Sequence, residues 1–230
     1  MERLRKSIRT GQKLSTGDLL RLLQSISGED AERRGAGQES LLQKGCTWVL
    51  VKNRLSLTRW PEPGETLTVE TWPLQGRLGL YPRVFEIYDE AGQSIARVDY
   101  LWAVMDLESR SLCSGEERGL HMVGAEEGRL APARRIAVPE GGAVFALVPT
   151  AEQIDENGHM NNCAYADALE PLLPERLRKL PLRALAVDYE HEILPGRCAE
   201  VRVVPGADNC VFEGRMDGKV CFRLREDFAV

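Results

Sequence analysis

The chain has 230 residues, with 30 Lys and Arg against 35 Asp and Glu, and its net charge of -5 argues against broad non-specific binding to nucleic acid. Hydrophobic residues at 43% and charged residues at 28% are ordinary for a globular protein, enough for one large domain or two smaller modules, and they exclude disorder as the default. Met1 leads straight into "ERLRKSIR" without an apolar signal core, and no stretch approaches a membrane span, so a cytoplasmic protein is expected.

A short opening strand, "RLRKSIR", precedes Ser15 and Thr16, which can cap a helix with Asp18 near the positive end of its dipole. Leu19, Leu22, Leu23 and Ile26 recur at helical spacing. Gly28 weakens that helix, and Gly35 and Gly37 are candidate stops. Strand-like segments follow: "TWVLVKNRLSL", "TLTVETW", "YPRVFEIYD" and "SIARVDYLWAVMD". Turns at Pro63-Gly64 and Ala91-Gly92 imply antiparallel pairing.

Residues 119–142 are rich in Gly, Pro and charge and read as a linker. The order then restarts. "AVFALV" reads as a strand, Asn161 or Asn162 can cap a second helix, and Ala164, Tyr165, Ala168, Leu169 and Leu172 form its apolar stripe, with Pro171 and Pro174 kinking or ending it. "LRALAVDYEHEIL", "AEVRVV", "CVFEGRM" and "KVCFRLRE" supply four more strands, with turns at Pro195-Gly196, Pro205-Gly206 and Asp217-Gly218. A strand, a helix and four strands thus occur twice, which implies two pseudo-equivalent α+β halves, each burying its helix on a sheet.

The halves differ in polarity. Before its helix the second carries "DENGHMNN" where the first carries "RTGQKLST", and counting back three from Pro195 reaches Glu192, where the same count from Pro63 reaches Trp60. A single site in the second half is expected. The six cysteines form no C-x-x-C pair, so neither a metal knuckle nor a dithiol motif is expected, and most read as reduced packing residues.

The motif Asp155-x-Asn157-x-His159-x-Asn161-Asn162, followed by Tyr165 and Glu170, resembles the acyl-acyl carrier protein (acyl-ACP) thioesterases of the bacterial type. "WVLVKNRLSLTRWPEPGETLTVETWP", "YPRVFEIYDEAGQSIARVDYLWAVMDLESRSL" and "DYEHEILPGR" extend the resemblance over nearly the whole chain. It implies two tandem hotdog modules, each a long helix on a curved antiparallel sheet: 1–118 holding the acyl chain, a linker over 119–142, and 143–230 carrying catalysis. It implies hydrolysis of a fatty acyl thioester on acyl carrier protein, without metal or bound cofactor, by a monomer or homodimer.

By the same resemblance, Glu192 activates the water, Asn157 and His159 position water and thioester, and Asp155 orients His159 or Asn157. Asn161 and Asn162 would contact substrate as well as cap. Leu19, Leu23, Trp48, Trp72 and Trp102 are candidates to line the acyl channel. The basic cluster Arg176, Arg178, Lys179 and Arg183, with Arg134 and Arg135 as a second patch, suits an anionic carrier. Taken without the resemblance, each has a plainer role: Asn caps a helix, His159 is a structural histidine, Glu192 shares a solvated strand face with Asp188 and Glu190, and basic residues suit a helix C-terminus. Cys163, at a helix start near His159, is a candidate nucleophile; Ile193 stands where the family often has a cysteine, a departure that counts against a thiol mechanism. An acyl-CoA thioesterase, a hydroxyacyl-thioester dehydratase of the same fold and a non-catalytic acyl-thioester-binding module are the alternatives.

Overall fold

The computed structural model of the chain describes residues 3–11, 13–120 and 134–229, so most of the expected linker, residues 121–133, lies outside the described residues. The first half contains β1 (Leu4–Arg9), α1 (Thr16–Arg33), α2 (Gln38–Leu42), β2 (Cys46–Leu57), β3 (Thr66–Pro73), β4 (Leu80–Tyr88), β5 (Ser94–Asp106) and the two-residue β6 (Leu112–Cys113). The second contains β7 (Ala143–Leu147), α3 (Tyr165–Leu169), α4 (Glu175–Arg178), β8 (Leu182–Tyr189), β9 (Ala199–Pro205), β10 (Asn209–Met216) and β11 (Lys219–Phe228).

Among the described residues, these strands form one eleven-stranded sheet in the order β1-β3-β4-β5-β2-β8-β11-β10-β9-β7, with β6 appended to β5. Every pairing is antiparallel. Each half follows the same path from its outer edge inward: first strand, third, fourth, fifth, second. The two halves meet at β2 and β8, from Lys52 opposite Asp188 to Ser56 opposite Ala184. No helix among the described residues is long and apolar enough to cross a membrane.

Helix α1 starts as its sequence dictates. The Ser15 hydroxyl accepts the Asp18 N–H at 3.1 Å and the Asp18 carboxylate accepts the Ser15 N–H at 3.1 Å, a reciprocal cap of about 1 kcal/mol. Leu19, Leu20, Leu23 and Ile26 are buried against the sheet. The helix runs through Gly28 and ends at Arg33, with Gly35 beyond it at φ +70°.

α1 also packs on the second half's helix. Asp167 on α3 accepts the Gly17 N–H at 2.9 Å and the Ser15 hydroxyl at 2.7 Å. A Cβ at Gly17 would lie 2.4 Å from the Asp167 carboxylate and 2.7 Å from the Cys163 carbonyl, so this approach requires glycine.

Two expectations need correction. Among the described residues the second half has no long helix: a 3-10 turn at Asn162–Ala164, the five-residue α3 and another 3-10 turn at Glu170–Leu172 carry the apolar stripe. Pro171 lies within that last turn, and Leu173 before Pro174 is already extended, as a residue preceding proline tends to be. The strand expected to reach Leu194 stops at Tyr189, because the Glu190 and His191 N–H groups both point at the Cys221 carbonyl, at 2.8 and 3.0 Å. Glu192 therefore sits on a loop, not on a strand face.

The returning chain crosses the seam between the halves. Buried Asp188 accepts the Ile136 N–H at 2.8 Å and pairs with Arg54, whose guanidinium also donates to the Arg134 carbonyl at 3.2 Å. Arg135 pairs with Glu190. The second basic patch expected from sequence is thus part of this crossing.

Candidate active site

The segment from Asp155 to His159 is a tight loop. The Gly158 N–H donates to the Asp155 carbonyl and the Asp155 N–H to the His159 carbonyl, both at 3.0 Å, with Gly158 at φ +79°. The next residue, Met160, is buried and donates its N–H to the carbonyl of buried Ile193 at 2.8 Å. That backbone bond between Met160 and Ile193 brings their predecessors, His159 and Glu192, together.

His159 stands between two carboxylates. Its Nδ1 lies 3.6 Å from Asp155 Oδ2 and 3.2 Å from the Met160 carbonyl, while its Nε2 lies 3.8 Å from Glu192 Oε1. The other Asp155 oxygen accepts the Asn157 N–H at 2.9 Å. Side-chain exposure is 15% for Asp155, 19% for His159 and 33% for Glu192, so the group is reachable yet partly shielded. Glu192 Oε2 accepts from Arg110 Nη2 at 2.6 Å. Arg110 belongs to the first half, and sequence reasoning missed it; nothing in the local pattern around "LESRSL" marks it.

A cavity of about 400 Å³ opens beside this group. Asn157 and Asn161 line it from the second half, and Gln24, Gly28 and Ala31 of α1, Trp48 of β2, Tyr81 and Arg83 of β4 and Trp102 of β5 line it from the first. Asp155, His159 and Glu192 are outside that lining and connect to it through Asn157, two residues from both Asp155 and His159. Arg83 is buried and bonded to buried Asp30 at 2.8 Å, so the wall carries a fixed ion pair.

Of the expected lining residues, Trp48 and Trp102 are on the cavity wall. Leu19 and Leu23 are fully buried between helix and sheet and pack the core instead, and Trp72 packs with Leu74 and Val84 beneath the Arg3 guanidinium.

The asparagines divide their work. Asn161 caps the helical stretch, its side-chain oxygen accepting the Cys163 N–H at 2.8 Å and its carbonyl the Ala164 N–H at 2.9 Å. The Asn162 carbonyl accepts the Tyr189 hydroxyl at 2.8 Å. Two N–H groups at this helix start are thus bonded to Asn161.

Cys163 is 2% exposed, and burial pushes its thiol up to about 12. Its Sγ bonds Gln24 at 3.0 Å. A thiol held protonated is a poor nucleophile. The Arg176 guanidinium binds the Gly206 and Ala207 carbonyls at 2.6 Å each, and Arg178 binds those of Pro171 and Leu173 at 2.8 and 2.9 Å. Both therefore tie loops together.

Residues 6–118 match the model of the acyl-ACP thioesterase N-terminal domain. A chloroplastic acyl-ACP hydrolase of Cuphea viscosissima is 26% identical over 190 residues, covering 78% of this chain and 45% of its own. The chain spans about half the length of the curated relatives it matches. A crystal structure of an acyl-ACP thioesterase from Bacteroides thetaiotaomicron superimposes with a TM-score of 0.86 at 22% identity, covering 99% of this chain and 98% of that one. A 12:0-ACP thioesterase from Umbellularia californica gives 0.83 at 18% identity, covering 99% and 97%. These two likenesses establish a shared fold. The matched N-terminal domain, the shared fold and the curated relatives agree in supporting the acyl-ACP thioesterase family for this chain.

Proposed function

We propose that this chain hydrolyses fatty acyl-ACP to free fatty acid and carrier protein, on two tandem hotdog modules covering 1–118 and 143–230 and joined by 119–142. The observation that carries the reading is His159 flanked by Asp155 and Glu192 beside a cavity whose walls come largely from the first half. The carrier is inferred from the names of the relatives.

Hydrolysis needs a water, a base and donors for the oxygen that gains charge. Glu192 Oε1 accepts the proton of a water held between it and His159 Nε2; the 3.8 Å between those atoms is too long for a direct hydrogen bond and suits a water that contacts both. Asp155 orients the imidazole from its Nδ1 side. Asn157, between loop and cavity, and His159 align the thioester carbonyl. The attacking oxygen forms the new C–O bond, the C–S bond breaks, and the thiol of the carrier's prosthetic group leaves with a proton.

The test of the acyl site is free-thiol release from a chain-length series of ACP and coenzyme A thioesters, with wild type beside Gly28→Leu. A side chain at Gly28 meets nothing within 4 Å of its Cβ and projects from a cavity-lining position. The expected outcome is turnover of ACP thioesters, with the longest chains accepted by wild type losing at least about tenfold in the variant while shorter ones are kept, since a blocked subsite costs about 1–3 kcal/mol. An unchanged chain-length profile would remove the cavity as the acyl site. Preference for coenzyme A thioesters would replace the carrier.

A further inference from the structure

We infer that Arg110, supplied by the first half, is a positioning residue for the hydrolytic site of the second, its guanidinium holding one Glu192 oxygen so that the other faces His159. The inference rests on the reading above, in which Glu192 accepts the proton of the attacking water.

Glu192 has little else to fix it. It lies on the loop after β8, its side chain is one-third exposed, and its backbone is located through the neighbouring Ile193 carbonyl. A carboxylate in that position rotates freely unless something holds it. The Arg110 Nη2 contact at 2.6 Å takes Oε2, and Oε1 is the oxygen nearest His159 Nε2. The two oxygens thereby have different partners, which is what a directional base requires.

The hairpin between β5 and β6 is built to present Arg110. Arg110 itself is at φ +55°, a left-handed conformation where glycine is the default residue. Asp106 keeps it there: its N–H donates to the Ser111 carbonyl at 2.9 Å, its carbonyl accepts the Arg110 N–H at 3.0 Å, and its carboxylate accepts the Ser109 N–H and hydroxyl, each at 2.9 Å. Arg118 pairs with the remaining Asp106 oxygen. The bonds from the Ser109 N–H and hydroxyl, helped by the Arg118 charge, hold the Asp106 carboxyl below the usual range, so it stays an acceptor for the turn. A long cationic side chain on a backbone that suits glycine is a pattern that functional sites tolerate.

The plain alternative is an exposed ion pair between the halves, which contributes little to stability and nothing to turnover. Arg110→Gly separates the two, because it removes the guanidinium while relaxing the left-handed backbone. The experiment measures kcat and KM for thiol release from an acyl-N-acetylcysteamine thioester, which lacks the carrier and its phosphate. The variants are Arg110→Ala, Arg110→Gly, Arg110→Lys, Glu192→Gln and the double Arg110→Ala/Glu192→Gln, each with its melting temperature.

The expected result is a kcat about 10- to 100-fold lower for Arg110→Ala and Arg110→Gly, as misplacement of a reacting group costs. KM and melting temperature stay close to wild type, kcat is partly restored in Arg110→Lys, and Arg110→Ala causes no further loss once Glu192 is glutamine. Wild-type kcat in Arg110→Ala and Arg110→Gly beside an inactive Glu192→Gln overturns the inference and leaves the hydrolytic reading standing. A rise in KM alone, or an equal loss with and without Glu192, also overturns it, since Arg110 would then act on substrate. Wild-type turnover in Glu192→Gln removes the reading, and this inference with it.

Discussion

Glu192→Gln is expected to lower kcat for acyl thioester hydrolysis by roughly 10²–10⁴-fold, the range lost with a general base. Glutamine keeps the shape of the side chain and an oxygen that can still accept from Arg110, but it cannot take a proton from water. The position is on a loop, one-third exposed, and bonded to the rest of the chain through a surface pair, so the melting temperature should hardly move. His159→Ala should be as damaging. Asp155→Asn should be milder, because asparagine retains an oxygen for the Asn157 N–H while losing the charge beside Nδ1. Near wild-type rates in all of these folded variants would remove the assignment of base and orienting groups. Loss in Glu192→Gln with an intact His159→Ala would keep the base and discard the histidine.

A second large effect concerns stability. Glu226 on β11 is 5% exposed, with its Oε2 buried and unbonded, and it faces Glu170 and Asp167 from the helical stretch above. Burial first, then those two carboxylates, pushes it up to about 8. In the unfolded chain an ordinary glutamate ionises near 4. Between these values the native state binds the extra proton, so stability falls as pH rises from roughly 4 to 8 and levels above. The accumulated cost is ~5 kcal/mol at most. Glu226→Gln removes the charge and keeps the volume. It should match wild type at pH 5 and exceed it by a few kcal/mol at pH 8, as read by denaturant unfolding at the two values. Equal differences at both pH values would show that Glu226 is ionised in the native protein.

The legible parts of the fold were those whose signal is local. Alternation marked the strands, and Gly92 and Gly218 at positive φ close the β4–β5 and β10–β11 hairpins where Ala-Gly and Asp-Gly had indicated turns; Gly64, also at positive φ, turns the chain from β2 to β3, which do not pair, so the antiparallel pairing expected there is corrected. Ser15 and Asp18 marked the start of α1 because capping is decided within four residues. α2 and β6 were missed: α2 is a five-residue helix with one buried residue, Leu41, and β6 is a two-residue strand, so neither has a period to read. The alternation through Asp188, Glu190 and Glu192 continued past the point where the ladder stops, since the bulge is set by the Cys221 carbonyl on another strand.

The site divided in the same way. Asp155, Asn157, His159 and Asn161 lie within one short stretch, and the loop and cap they build are local. Glu192 reached the candidate set through resemblance, since its own periodicity placed it among solvated strand residues. The cavity wall was harder. Leu19 and Leu23 carry the apolar period of α1 and pack the core, while Gln24, Gly28 and Ala31, on the flank of that stripe, face the cavity. Arg110 is 82 residues from Glu192, and only the joining of the two halves brings them together.

The most direct measurement of the central claim, attack by a water that Glu192 activates, is a single turnover of acyl-ACP in ¹⁸O-labelled water with enzyme in excess. The account predicts free thiol and a fatty acid carrying one ¹⁸O, with no label on Glu192 in the recovered protein. Unlabelled fatty acid together with ¹⁸O in the Glu192 carboxylate would contradict it, since that pattern requires the carboxylate itself to attack and water to cleave the resulting anhydride at the protein.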